Sequence, residues 1–119
     1  MFLIDTYLGK SKIHGVGVFS KQNVKKGRKI KEVRPEFEIR FNKINLPRMP
    51  LALANFIQTH AHEEDENEYC LGIDNEKYLN HSNNPTVDEK GYALKNIKIG
   101  DEITIDYNNF DDSIKAWLT

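Results

Sequence analysis

The chain has 119 residues, enough for one domain around a single modest core and too few for a catalytic unit plus a separate recognition unit. Its 17 lysines and arginines against 18 aspartates and glutamates leave a formal net charge of −1, which argues against a protein held to nucleic acid by bulk charge. Cys70 is the only cysteine, so an internal disulfide is excluded, no cysteine-based zinc centre is expected to be possible, and a reducing compartment fits.

The charge is nevertheless segregated, with a basic stretch from Lys10 to Arg34 and an acidic majority later. Such runs ordinarily make a solvated face. Met1 to Leu8 is apolar but lacks the basic lead and long apolar core of a secretory signal, and nothing is long enough to span a bilayer. The expectation is a soluble intracellular protein with no membrane partner and no direct nucleic-acid partner.

Phe2 to Leu8 and Val16 to Ser20 are predicted strands, separated by Gly9 and by the Gly15-Val16-Gly17 bend, where missing side chains let backbone approach a ligand. Asn23 to Ile30 is matched by Asn96 to Ile103 as Asn, β-branched, Lys, any, Gly, any, any, Ile. Both read as a turn feeding a strand, and convergence on one turn chemistry accounts for the match. Lys29 to Val33 and Glu36 to Phe41 are further strands; Phe37, Ile39 and Phe41 alternate with charged residues, the period of a half-buried strand.

Pro50 opens a helix that ends near His60, with Leu53, Phe56 and Ile57 on one face. His60, His62 and the run Glu63-Glu64-Asp65-Glu66 read as a solvated loop. Imidazole plus carboxylate is also a workable metal-ligand set, and the carboxylates would draw a basic peptide. Tyr69 to Ile73 is a strand, Asp74-Asn75 a turn, and Lys77 to Leu79 leads into a polar loop. Pro85 to Asp88, Tyr92 to Leu94 and Glu102 to Tyr107 are strands, and Ile114, Trp117 and Leu118 share one face of a last short helix. Many short strands with one or two helices predict a mainly β, β-rich α+β fold over a single domain, 1–119.

The polar loop is Asn80-His81-Ser82-Asn83-Asn84-Pro85, whose residue types suit an ordinary capped turn but also offer several donors and acceptors to a ligand. With Lys12-Ile13-His14-Gly15-Val16-Gly17-Val18-Phe19 before it and Gly100-Asp101-Glu102-Ile103-Thr104-Ile105-Asp106-Tyr107 after it, it resembles the G-x-G, N-H-S-x-x-P and G-E-E-[IL]-T-x-D-Y signature of SET-domain protein-lysine methyltransferases. Each motif is weak alone; the ordered triple is strong.

That resemblance implies a clip of several small sheets with a C-terminal pseudoknot, and methyl transfer from S-adenosylmethionine to a lysine of a protein substrate, a histone or another basic protein. Gly15, Val16 and Gly17 would contact the cofactor through backbone, Asn80 and His81 would hold its adenine and neighbouring groups, and Tyr107 would stand at the transfer point. Tyr69 would be a second catalytic tyrosine lining the lysine channel with Ile105. Isoleucine at 105 offers no hydroxyl to hold a water, so dimethyl or trimethyl product is expected.

Three departures from the family pattern stand out: Thr86 replaces the last Asn of the loop motif, Lys77 lies where an Arg is common, and cysteine-rich flanks are absent. Phe110 and Trp117 are the candidates to close the channel and the cofactor pocket, and a homodimer is another way to complete the channel. No metal is expected. The alternatives are an inactive module of the same fold that binds cofactor or basic peptide, and a small β-rich metal protein using His60, His62 and His81.

Overall fold

The computed structural model describes residues 1–109. Residues 110–119 lie outside the described residues, and with them Phe110, Trp117 and the predicted last helix. The strands are β1 (Thr6–Lys10), β2 (Val16–Ser20), β3 (Glu38–Asn42), β4 (His62–Glu63), β5 (Glu68–Gly72), β6 (Asn80–His81) and β7 (Glu102–Ile105). Among the described residues there are also one α-helix, α1 (Leu51–His60), and four short 3-10 turns. The strands form two small sheets, ordered β1-β2-β7-β6 and β3-β5-β4. The predicted β-rich clip of short strands is therefore the architecture observed.

The first sheet starts as a hairpin in which Thr6 faces Ser20 and Lys10 faces Val16, closed by Ser11 N–H on Gly15 O at 2.8 Å. β2 pairs antiparallel with β7, and β7 pairs parallel with β6, setting Asn80 beside Thr104 and His81 beside Ile105. That parallel pair lays the second motif against the third. Thr86 strengthens the junction: its Oγ1 accepts from Thr104 N–H at 2.9 Å and donates toward Thr104 O at 3.4 Å, so the departure from Asn keeps a side chain that bonds backbone both ways.

Beneath this sheet Val18, Ile30, Val87 and Ile103 are completely buried, with Ile97 and Val24 close to it. Lys29 to Val33, Pro85 to Asp88 and Tyr92 to Leu94 were expected as strands but form only single bridges, Phe2 with Lys31, Lys29 with Tyr92 and Val87 with Ala93. Ile30, Val87 and Ala93 from these segments are buried in the core rather than paired in a ladder, because each segment crosses its neighbour for one residue pair and then turns away.

The matched octapeptides pair with each other. Val24 and Ile97 exchange both backbone bonds at 2.8 Å, Asn96 Oδ1 accepts from Lys26 N–H at 2.9 Å, and Asn23 Oδ1 accepts from Ile99 N–H at 3.0 Å. Gly27 and Gly100 take φ of 90° and 89° at equivalent points, a region that disfavours any side chain. One turn chemistry is thus used twice, and the two copies cap one another across a local two-fold.

In the second sheet Tyr69 and Leu71 of β5 pack with Ile57 and Ala61, with Phe41 and Phe56 partly buried against them. Pro50 accepts the first helical N–H groups through its carbonyl, from Leu53 and Ala54. Only the C-terminal half of α1 meets the sheet: Ile57 is fully buried while Leu53 remains 42% exposed, so the apolar stripe is shorter than its spacing indicates. The loop expected after His60 contains β4, which completes the sheet by pairing His62 with Cys70. Among the described residues no helix is long and apolar enough to cross a membrane.

Candidate active site

A cavity of about 990 Å³ runs between the two sheets. Gly15, Val16, Asn80, Ile105 and Tyr107, drawn from all three motifs, line one side of it together with Leu79. His60, His62, Glu38 and Glu64, from α1 and the second sheet, line the other. Gly17, His81 and Tyr69 do not line it.

Asn80 is the knot of the motif wall. It is 8% exposed, and its Nδ2 donates toward His14 O at 3.0 Å, Val16 O at 3.2 Å and Glu102 Oε2 at 3.0 Å. Two hydrogens serve three acceptors, so one is shared. The loop carbonyls are thereby turned inward, and Gly15 is left at the cavity with φ of 46° and no atom within 4 Å of where a Cβ would stand. Val16 beside it is 50% exposed.

Glu102 is a residue to which the motif reading assigned no role. Its carboxylate accepts from Ser11 Oγ at 2.8 and 2.9 Å, and that hydroxyl accepts in turn from Ile13 N–H at 2.9 Å and His14 N–H at 3.3 Å. One partly buried carboxylate thus ties both ends of the Gly15 loop to Asn80. Gly17 explains how it fits: a Cβ at that position would stand 2.5 Å from Glu102 Oε2. The absence of a side chain at Gly17 makes room for a protein carboxylate rather than for a ligand.

His81 and Tyr107 are joined to one another. Tyr107 N–H donates to His81 Nδ1 at 3.1 Å, which makes Nδ1 the acceptor; Nε2 therefore carries the hydrogen and donates to Asn83 Oδ1 at 2.9 Å. With both ring nitrogens engaged, the imidazole binds the second motif to the third instead of facing the cavity. The Tyr107 ring lies 5.2 Å from the His81 ring, and its hydroxyl donates to Leu79 O at 2.5 Å. Burial raises the pKa of Tyr107 above its ordinary value, so the hydroxyl stays a neutral phenol whose lone pairs remain available.

Tyr69 belongs to the helix-packed face of β5. Its ring is covered by the Lys43 ammonium 5.1 Å from the centroid, and its hydroxyl reaches toward Glu63 Oε1 at 3.5 Å. The strand period sends it away from the cavity, and the second tyrosine on the cavity wall is Tyr78. Tyr78 meets His60 edge-on at 5.1 Å, and His60 lies 4.6 Å from Phe56, making an aromatic border. Lys77, at the position of the family's Arg, lines the same cavity and donates through Nζ to Asp74 O at 2.9 Å.

His60, His62 and His81 do not converge on one point, as a three-histidine metal centre requires: His60 Nδ1 sits 3.3 Å from Lys77 O, His62 pairs with Glu64, and His81 is held by Tyr107 and Asn83. Burial, then the hydrogen bond to the Glu38 carboxylate, push the Cys70 thiol up to about 12, which removes it as a nucleophile.

A family model described as the SET domain matches residues 15–108. Among solved structures the chain is similar to a Plasmodium falciparum protein named as a "putative histone methyltransferase", with 28% identity and a TM-score of 0.60 over 87% of this chain and 93% of that one. It is also similar in fold to a humanized mutant of the Chaetomium thermophilum Polycomb Repressive Complex 2 bound to an inhibitor, at 18% identity and a TM-score of 0.58, covering 94% of this chain and 16% of that chain. No curated protein matches it. With three ordered motifs built into one cavity wall and the family model spanning most of its length, the chain belongs to the SET-domain family.

Proposed function

We propose that the chain transfers methyl from S-adenosylmethionine to the side-chain amine of a lysine in a basic protein. The observation that carries this reading is the shared wall: Gly15, Val16, Asn80, Ile105 and Tyr107 border one cavity, and Asn80 bonds the loop that holds the first two. The residues present fit the cofactor, since the open space at Gly15 and the exposed Val16 give it a backbone rim. Gly15, Val16 and Asn80 would hold it there. When bound, S-adenosylmethionine supplies a sulfonium methyl open to in-line attack by a neutral amine.

What the chain contributes is placement and surroundings. Aligning two reactants in this way is worth at most about 7 to 11 kcal/mol of barrier. Of the glutamates at the cavity, Glu32, Glu64 and Glu76 are paired with Arg34, Arg40 and the Met1 ammonium, which leaves Glu38 and Glu89 to meet a cationic lysine. Beside Ile105, Leu79 and the Tyr107 ring the surroundings turn apolar, which disfavours the ammonium form against its ordinary pKa of about 10.4. No dedicated base is needed. Tyr107, kept neutral by burial, with its hydrogen on Leu79 O, offers oxygen lone pairs to the amine N–H and to the polarised methyl hydrogens. It orients and does not deprotonate.

A histone tail or a comparable basic segment is the substrate class, with the chain acting in the nucleus for the first and in the cytoplasm otherwise. The experiment is to incubate the chain with methyl-labelled S-adenosylmethionine and a mixture of basic proteins and to map label by mass spectrometry. Label on lysine, lost in Tyr107→Phe, supports the reading. Cofactor binding without any transfer would replace it with an inactive binding module.

A further inference from the structure

The polar face of the second sheet borders the cavity, and it gathers three metal-type donors that methyl transfer does not require. Strand alternation sends Phe41, Tyr69 and Leu71 to the helix side and Cys70 to the other. In the ladder Cys70 stands across from Arg40 of β3 and His62 of β4, while Glu38 lies one pleat along β3, across from Gly72. One carboxylate oxygen of Glu38, one ring nitrogen of His62 and Sγ of Cys70 all fall within 4.8 Å of one another. Cys70 is fully buried, with Sγ only 2.6 Å from Glu38 Oε2. Glu38 and His62 also line the cavity.

We propose that Glu38, His62 and Cys70 form a site for one thiophilic divalent cation of the zinc class, with its fourth coordination position open toward the cavity. Thiolate, imidazole and carboxylate together are a donor set that zinc takes readily, and three protein ligands leave one position for water. Each donor comes from a different strand of one sheet, so the ladder itself sets their spacing. The support around them fits as well: Glu64 Oε2 lies 3.2 Å from His62 Nε2, a carboxylate contact that orients the ring, and Arg40 Nη1 lies 3.6 Å from Glu64 Oε1.

Binding replaces the Sγ–H bond of Cys70 with an Sγ–metal bond and releases that proton to solvent. The cation's two charges are then met by the thiolate and Glu38, and the charge of Glu64 by Arg40. The site would pin the two-residue β4, and with it the His62 side of the cavity, to β5. The expectation that one cysteine cannot build a zinc centre counted cysteines alone; a mixed donor set needs only one.

The test uses the full chain stripped with a chelator and titrated with Co2+, whose thiolate charge-transfer band and tetrahedral d–d bands report the ligands. One equivalent should bind, raise the melting temperature, and be displaced by Zn2+. His62→Gln and Glu38→Gln, at partly exposed positions, should weaken Co2+ by at least about tenfold with the far-ultraviolet dichroism unchanged, and Cys70→Ser should abolish the charge-transfer band. If Cys70→Ser fails to fold, the other two variants decide. The inference is overturned if the parent chain shows no charge-transfer band, or if both glutamine variants bind Co2+ as tightly as the parent. Methyl transfer does not enter the readout, so either reading can fail alone.

Discussion

Gly17→Ala should destabilise the chain through one contact, and that contact can be removed independently. The new Cβ would stand 2.5 Å from Glu102 Oε2 and 2.9 Å from Cδ, so the carboxylate must leave Ser11 and Asn80. Glu102 is only partly buried, so a displaced carboxylate regains water and the low end of the range for charged hydrogen bonds applies, about 1.5 kcal/mol for each of two bonds. Alanine returns about 0.4 to 1 kcal/mol by restricting the unfolded chain. The net expected loss is about 2 kcal/mol in urea unfolding at unchanged m-value. In a Glu102→Ala background the carboxylate is gone, and Gly17→Ala should then fall within about 0.5 kcal/mol of neutral, giving a coupling of about 2 kcal/mol in the double-mutant cycle. If the two substitutions add independently, Gly17 is not making room for Glu102 and the account of the loop is wrong.

Tyr107→Phe should lower turnover while leaving cofactor affinity close to the parent value in calorimetry, with a stability loss of about 1 kcal/mol from the missing bond to Leu79 O. The same variant tests the pKa shift. Burial raises the native value, so the stabilisation is complete below the unfolded value of about 10 and is lost as pH rises through the native one; unfolding free energy measured above about pH 9 should fall less steeply for Tyr107→Phe than for the parent. Ile105→Tyr puts a hydroxyl on the cavity wall, and mass spectrometry should show product shifting from dimethyl and trimethyl lysine toward monomethyl. A parent enzyme that always stops at one methyl would refute that role. Ile57→Ala should cost about 2 to 5 kcal/mol in chemical denaturation, because this fully buried side chain fills the small core between α1 and β5.

Composition and local pattern were enough to indicate a β-rich fold, the helix from Pro50 to His60 and the three ordered motifs, because these depend on residue type at short spacing. Pro50 marked the helix start within one residue. Local pattern could not say that Tyr69 faces the helix and Tyr78 the cavity, since a strand alternates sides and only its packing partner decides which side is the site. Nor could it separate strands from the single crossings at Lys29, Val87 and Tyr92, because short apolar runs fill a core as readily as a ladder.

What only the tertiary structure decided is how distant residues share one bond network. Ser11, Gly17, Asn80 and Glu102 are far apart in the chain, and no spacing rule joins them; the pairing of β2 and β6 with β7 does. The same holds for Glu38, His62 and Cys70, which three adjacent strands bring within 4.8 Å. The sequence by itself therefore determined which chemical groups were on hand and the order in which they occur. Their convergence depended on long-range pairing of short strands, whose free energy resides in burial and register across the whole domain rather than in any single motif.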